Sequence, residues 1–401
     1  MKINKSIGFL AIIVCFLAAS TSHECLAKKK DPAKYVFLFI GDGMGFSHVA
    51  ATESYISYKA GKLGGEQLTF TQFPVHGSAT NHSANRRVTD SAASGTAIAC
   101  GVKTNNGSVG VDEEGVSVRS ISEILQDRGY DIGIISSVPV NHATPASFYA
   151  HNVNRGAYYD IMMEIPKSGF DFFAGAGMLG YFGRNKDQES SAAWLEKNGI
   201  NVCFNREEAK EAISNGDRIL VCQPYNEERE PSNYDAGGIM PEGHILLSET
   251  MEMALECLTD DSPFFIMCEG GEIDWAAHAN KTMPTIQDIL AFDDAISVAY
   301  DFYLEHPKET LIIVTADHAT GGISFSEDPD WEKIEKAWVD AGYSNTLDSK
   351  ENRKLNNESK VGWTTGGHTG EAVPVYAIGK GAERFGGRID NTDIKGKILG
   401  E

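Results

Sequence analysis

The segment CEGGEIDWAAHAN, residues 268–280, sets Glu269, Glu272, Asp274 and His278 directly behind the apolar run SPFFIM. That run reads as a buried strand from Phe264 to Met267, which leaves Glu269 at its carboxyl end. The helical pattern from Ile273 to Ala279 then places Asp274 and His278 four residues apart on one face. Carboxylate oxygen together with imidazole nitrogen suits zinc or a similar divalent metal, whereas carboxylates alone would point to magnesium or calcium. An i,i+4 Asp–His pair is also common on solvated helices, so this spacing does not decide the matter by itself. Two further strand ends carry the same chemistry. KYVFLFI, from Lys34, runs into GDGMG and projects Asp42 from a glycine-rich turn; Leu311 to Val314 is followed by Asp317 and His318 before a glycine pair. Ligands of open α/β sheets collect at the carboxyl edge of the strands, and three acid-bearing ends are expected to meet there.

VTDSAASGTAIACG, Val88 to Gly101, is built of small residues, with Thr89 or Asp90 as the N-cap of a helix whose first turn holds Ser91. Free backbone N–H groups at such a turn suit an anion. A serine hydroxyl is a poor nucleophile at neutral pH without a base or a metal, and the chain has no G-x-S-x-G elbow or evident triad. Metal activation is the better reading of Ser91.

The segments GDGMG, DSAASGTA, HATPASFYAHNVNR, EGGEIDWAAH, TADH and GGHTGE, in that order between Asp42 and Glu371, resemble the alkaline phosphatase family. The resemblance implies one zinc on Asp274, His278 and His368, a second on Asp42, Asp317 and His318, and a magnesium on Asp42, Thr144 and Glu269. It further implies Ser91 as the nucleophile that becomes phosphorylated, Arg155 as the phosphate clamp, and a homodimer. The chemistry is coherent, because phosphoryl transfer needs in-line positioning and positive charge more than covalent help. Two zinc ions about 4 Å apart would serve the attacking and leaving oxygens, and the planar guanidinium of Arg155 can donate two parallel hydrogen bonds to the others. Phosphate monoesters are thus the expected substrates, hydrolysed to alcohol and phosphate with net retention at phosphorus. His151 reads as a packed histidine outside the ligand set. His142 falls where some members carry aspartate, which should weaken magnesium at the third position, so His142 is assigned beside the ligands. Trp275 falls where others carry lysine or histidine; it is placed at the substrate without the cationic contact that lysine would make. The alternatives are a relative acting on phosphodiesters or sulfate esters, and a non-catalytic zinc- or phosphate-binding protein. The Cys-x-Pro-x-Arg signature of sulfatases is absent.

The elements needed to hold such a site are legible as strands at about 35–41, 131–137, 216–222, 264–268, 310–316 and 373–379. Helical patterns lie between most of them, which predicts an α/β three-layer sandwich: a mainly parallel sheet covered by helices on both faces. Ligands running from Asp42 to His368 must share one cleft, so residues 28–401 read as a single catalytic domain, with insertions near the site at about 160–240 and 326–359. The first reads as decoration of the cleft and the second as a solvated charged stretch. Residues 1–27, with Lys2, Lys5, an apolar run from Ile7 to Ala19 and the ending Cys25-Leu26-Ala27, predict a secretory signal peptide and a periplasmic or secreted protein without a membrane anchor. Cleavage leaves Cys100, Cys203, Cys222, Cys257 and Cys268, of which Cys203 and Cys222 are candidates to pair across a polar segment. A net charge of −21 speaks against nucleic acid and anionic membranes as partners.

Overall fold

The structure, a computed structural model, describes residues 31–223, 244–258, 262–343 and 347–401; the leader read at 1–27 lies outside them. Ten strands form the central sheet: β1 (Tyr35–Gly41), β2 (Val75–Thr80), β3 (Asp131–Ser136), β4 (Phe172–Gly175), β5 (Asn201–Cys203), β6 (Ile219–Cys222), β7 (Phe264–Gly270), β8 (Thr310–Thr315), and, after the short strands β9 (Ala319–Thr320), β10 (Ile323–Phe325), β11 (Val361–Trp363) and β12 (His368–Thr369), β13 (Val373–Gly379) and β14 (Gly387–Asp390). Their spatial order is β14-β2-β13-β8-β1-β7-β3-β4-β6-β5. β13 alone runs against the others. The three central strands, YVFLFIG, FFIMCEG and TLIIVT, are buried at every position, as strands covered on both faces must be. Helices Leu247–Leu258 and Thr282–Glu305 pack together on one face; Ser91–Cys100, Ala143–Ala146 and Asp393–Leu399 group on the other.

Register sets the site. Ile40 lies opposite both Glu269 and Thr315, so Asp42 and Asp317, each two residues further on, emerge level with one another, and Glu269 lies two residues short of them at the same edge of the sheet. Because β13 is antiparallel, its beginning lies at that same edge, with Val375 opposite Thr315. His368, just upstream on β12 and paired with Thr320 of β9, is thereby folded back over it.

Three sequence expectations change. Residues 160–240 do more than decorate the cleft, since β4, β5 and β6 extend the sheet itself; 224–243 lie outside the described residues. Cys203 and Cys222 are both buried and both free. They end neighbouring strands, but Cys203 is in register with Val221, so successive side chains point the two thiols to opposite faces. The charged stretch at 326–359 contains the helices Trp331–Asp340 and Ser349–Glu358, and the second is not merely solvated. Its buried Asn352 and Asn356 each donate to the carbonyl of Asn280, bracing the turn that follows His278. No described helix is long and apolar enough to cross a membrane.

Candidate active site

Asp42 leaves β1 into the GDGMG turn, where Gly43 has φ 75°. A Cβ on Gly43 would lie 2.9 Å from Thr320 Oγ1 and 3.0 Å from Asp274 Oδ1, so only glycine lets the turn close on these groups. The Gly43 and His318 N–H groups both donate to Asp317 Oδ1, at 3.2 and 2.8 Å. His318 turns its Nε2 inward, 3.2 Å from Asp317 Oδ2, 3.4 Å from Asp42 Oδ1 and 3.3 Å from Ser91 Oγ. Of the two N-cap candidates, Asp90 takes the position, its Oδ1 accepting from the Ala93 N–H at 3.0 Å. Its Oδ2 accepts from Gly107 N–H and from Arg155 Nη1, at 2.9 and 3.0 Å. One carboxylate therefore caps the Ser91 helix and aims the arginine.

Asp274 and His278, on the helix Glu272–His278, meet as the spacing required, Oδ2 to Nε2 at 3.3 Å. His278 Nδ1 lies 2.7 Å from the Gly366 carbonyl, and His368 Nδ1 lies 2.8 Å from the Thr89 carbonyl. Each ring thus donates through Nδ1 and frees Nε2 as a ligand, the orienting device usual around bound metals. The two Nε2 atoms are 3.2 Å apart, and the His368 ring stacks on that of His318 at 3.6 Å. Glu269 accepts the Ser136 hydroxyl proton at Oε2, while its Oε1 and the nearby Thr144 Oγ1 are buried without a hydrogen-bond partner.

His142 stands inside the site rather than beside it. One of its ring nitrogens groups with carboxylate oxygens of Asp42 and Glu269, all within 4.8 Å of one another, and its Nε2 lies 3.2 Å from Arg155 Nη2. Trp275 packs its ring on the His142 ring, centroids 5.7 Å apart at 88°. His151 stays outside, held by the Gly110 carbonyl and Glu123. The other ligand-rich groups are Asp42, Asp317 and His318, as expected, and Asp274, His318 and His368, with His278 attached at the outer side of the latter. His318 belongs to both because its ring stands between them. Thr320 and Ser136 escaped the sequence reading: a hydroxyl that acts on a ligand leaves no spacing signature.

Four carboxylates, Asp42, Glu269, Asp274 and Asp317, are buried here. Burial, with Asp317 and Asp274 nearby, pushes the Asp42 carboxyl well above the usual range. Burial and Asp274 push Asp317 up to about 8, and burial raises Glu269 to about 7. Burial works in the same sense on Asp274, but the hydrogen bond from His278 and the surrounding imidazoles hold it well below. Burial pushes the His142 imidazole down to about 3 and His318 lower than its ordinary value, so both present neutral rings. Both oxygens of Asp42 and Oδ2 of Asp317 have no hydrogen-bond partner. Buried carboxylates left in this way are compensated by cations, and oxygen with neutral imidazole nitrogen is the donor set of zinc and similar divalent ions.

The family model described as Alkaline phosphatase matches residues 33–175, 195–337 and 325–399. The chain belongs to the alkaline phosphatase family. Alkaline phosphatase 3 of Bacillus subtilis (strain 168) is 31% identical over 455 residues, spanning 100% of this chain and 95% of its own. The alkaline phosphatase of the Antarctic bacterium TAB5 is similar in structure, with a TM-score of 0.75, 34% identity, and coverage of 92% of this chain and 97% of the other. A cold-active alkaline phosphatase from Shewanella sp. aligns with a TM-score of 0.77 at 26% identity, over 91% and 98% of the two chains. The chain is accordingly a metal-binding phosphatase that hydrolyses phosphate monoesters.

Proposed function

We propose that hydrolysis proceeds through a phosphoserine on Ser91, at a centre of two zinc ions and a third divalent ion. One observation carries the reading: Asp42 and Asp317, two of four buried carboxylates at the site and both with unpartnered oxygens, meet at the His318 nitrogen that lies 3.3 Å from Ser91 Oγ. Asp274, His278 and His368 would hold the first zinc, Asp42, Asp317 and His318 the second, and Asp42, Glu269 and Thr144 the third ion. His142 adds a neutral nitrogen to the third group, which favours a softer ion than magnesium there. Bound metals supply positive charge at the attacking and leaving oxygens of an in-line displacement.

Ser91 Oγ attacks phosphorus, the alcohol leaves, and the phosphoryl group rests on Ser91 until water displaces it. Two in-line displacements give retention. Arg155, steadied through Nη1 by Asp90 and beside His142 at Nη2, donates to the non-reacting oxygens. Trp275, set over His142, lines the approach without contributing charge. Only the phosphoryl group is gripped, so the alcohol is weakly discriminated. Dialysis against a chelator should abolish turnover, and zinc with magnesium should restore it; undiminished turnover after metal removal refutes the centre. A panel of mono-, di- and sulfate esters on the restored enzyme tests monoester preference. We further propose a single catalytic domain behind a leader at 1–27, export to the periplasm or medium, and a homodimer; N-terminal sequencing of the mature protein and its mass in solution check these.

A further inference from the structure

Thr320 is fully buried on β9, opposite His368, and its hydroxyl touches two candidate metal ligands at once. Oγ1 donates to Asp274 Oδ1 and lies 3.3 Å from His318 Nδ1. A hydroxyl has one proton to give and lone pairs to accept with. With that proton committed to the carboxylate, the bond from His318 must run the other way, from Nδ1–H to Oγ1. His318 Nε2, the nitrogen facing Asp42, Asp317 and Ser91, is then left without a proton. Thr320 is held in place by its own N–H, which donates to the Gly43 carbonyl at 3.0 Å. The absence of a Cβ on Gly43 leaves the room that the hydroxyl and Asp274 occupy.

We propose that Thr320 is a positioning residue whose hydroxyl fixes the His318 tautomer with Nε2 free, and in doing so couples Asp274 of the first metal group to His318 of the second. The inference rests on the metal reading of the site. Loss of an orienting partner of this kind costs roughly 10–100-fold in metal affinity. Because the hydroxyl touches one ligand from each group, both zinc equivalents weaken together in Thr320→Val, which keeps the volume and removes the hydroxyl. Thr320→Ser retains the hydroxyl and binds both equivalents as the parent does. Competition titration with a chromophoric chelator measures the affinities, and urea unfolding of the same metal-free proteins separates them from stability. The tautomer is read without any variant, from the nitrogen shifts of histidine-labelled parent protein, where His318 carries its proton on Nδ1. Parent-like zinc affinity in Thr320→Val, or a proton on Nε2 of His318 in the metal-free parent, overturns the proposal. A parent protein that takes up no zinc counts against the metal centre instead, and the tautomer measured on it still decides the role of Thr320.

Discussion

Trp275 stands next to a candidate zinc ligand, yet its ring is spent on His142, which in turn faces Arg155. No charge reaches the phosphate side of the site from this position. A lysine there would add a cation within reach of bound phosphate, at a short distance where direct or water-bridged contact gains more than an exposed pair does. Trp275→Lys is therefore expected to lower the inhibition constant for inorganic phosphate several-fold, and to slow turnover if release of phosphate limits it. Steady-state inhibition by phosphate checks this; an unchanged constant would show that the tryptophan serves packing alone. The histidines illustrate what spacing reveals at this scale. His278 was legible because it falls four residues from Asp274, and His368 only through resemblance, since nothing local to GGHTGE marks it as a ligand. The approach of the His142 ring to Asp42 and Glu269 was not legible, because the peptide HATP carries no sign of it.

The helix Ser91–Cys100 depends on Asp90 at its start, where one carboxylate serves the Ala93 N–H, the Gly107 N–H and Arg155. Loss of an N-cap acceptor costs about 0.5–2 kcal/mol, and here two further donors lose their partner. Asp90→Ala should fall at the upper end of that range in urea unfolding; a midpoint equal to that of the parent would contradict the reading. Among the strands, β1, β7 and β8 were legible because burial on both faces writes them as unbroken apolar runs. β2, β4, β5 and β14 were not, for opposite reasons. VHGSAT and GRID lie towards the sheet edge, partly exposed and polar, while FFAG and NVC are too short to show a period. The cysteine pairing failed on register, a property that sequence does not display: a shift of one residue between β5 and β6 sends the two thiols apart.

At the scale of the whole molecule, the buried carboxylates Asp42, Glu269, Asp274 and Asp317 gather where the metals are proposed to bind, and stability should report this. Without metal, Glu269 at about 7, Asp317 at about 8 and Asp42, raised well above its ordinary value by burial and its carboxylate neighbours, bind protons in the folded state that an unfolded chain, with carboxyls near ~4, has already released. That stabilising contribution is complete below the unfolded value and disappears as pH rises through 7 and 8. Chelated protein is thus expected to unfold at progressively lower temperature from pH 5 to pH 9, while the zinc- and magnesium-loaded protein resists the loss. Thermal scans of both forms check it; parallel curves would contradict the account. Covalent chemistry at Ser91 is open to a direct measurement: acid quenching during turnover of a phosphate monoester, followed by peptide mass spectrometry. One phosphoryl group is expected on Ser91 in the parent and none in Ser91→Ala, whose turnover falls by orders of magnitude with its metal content kept; an unphosphorylated parent, or a Ser91→Ala variant that turns over normally, would rule out the phosphoserine.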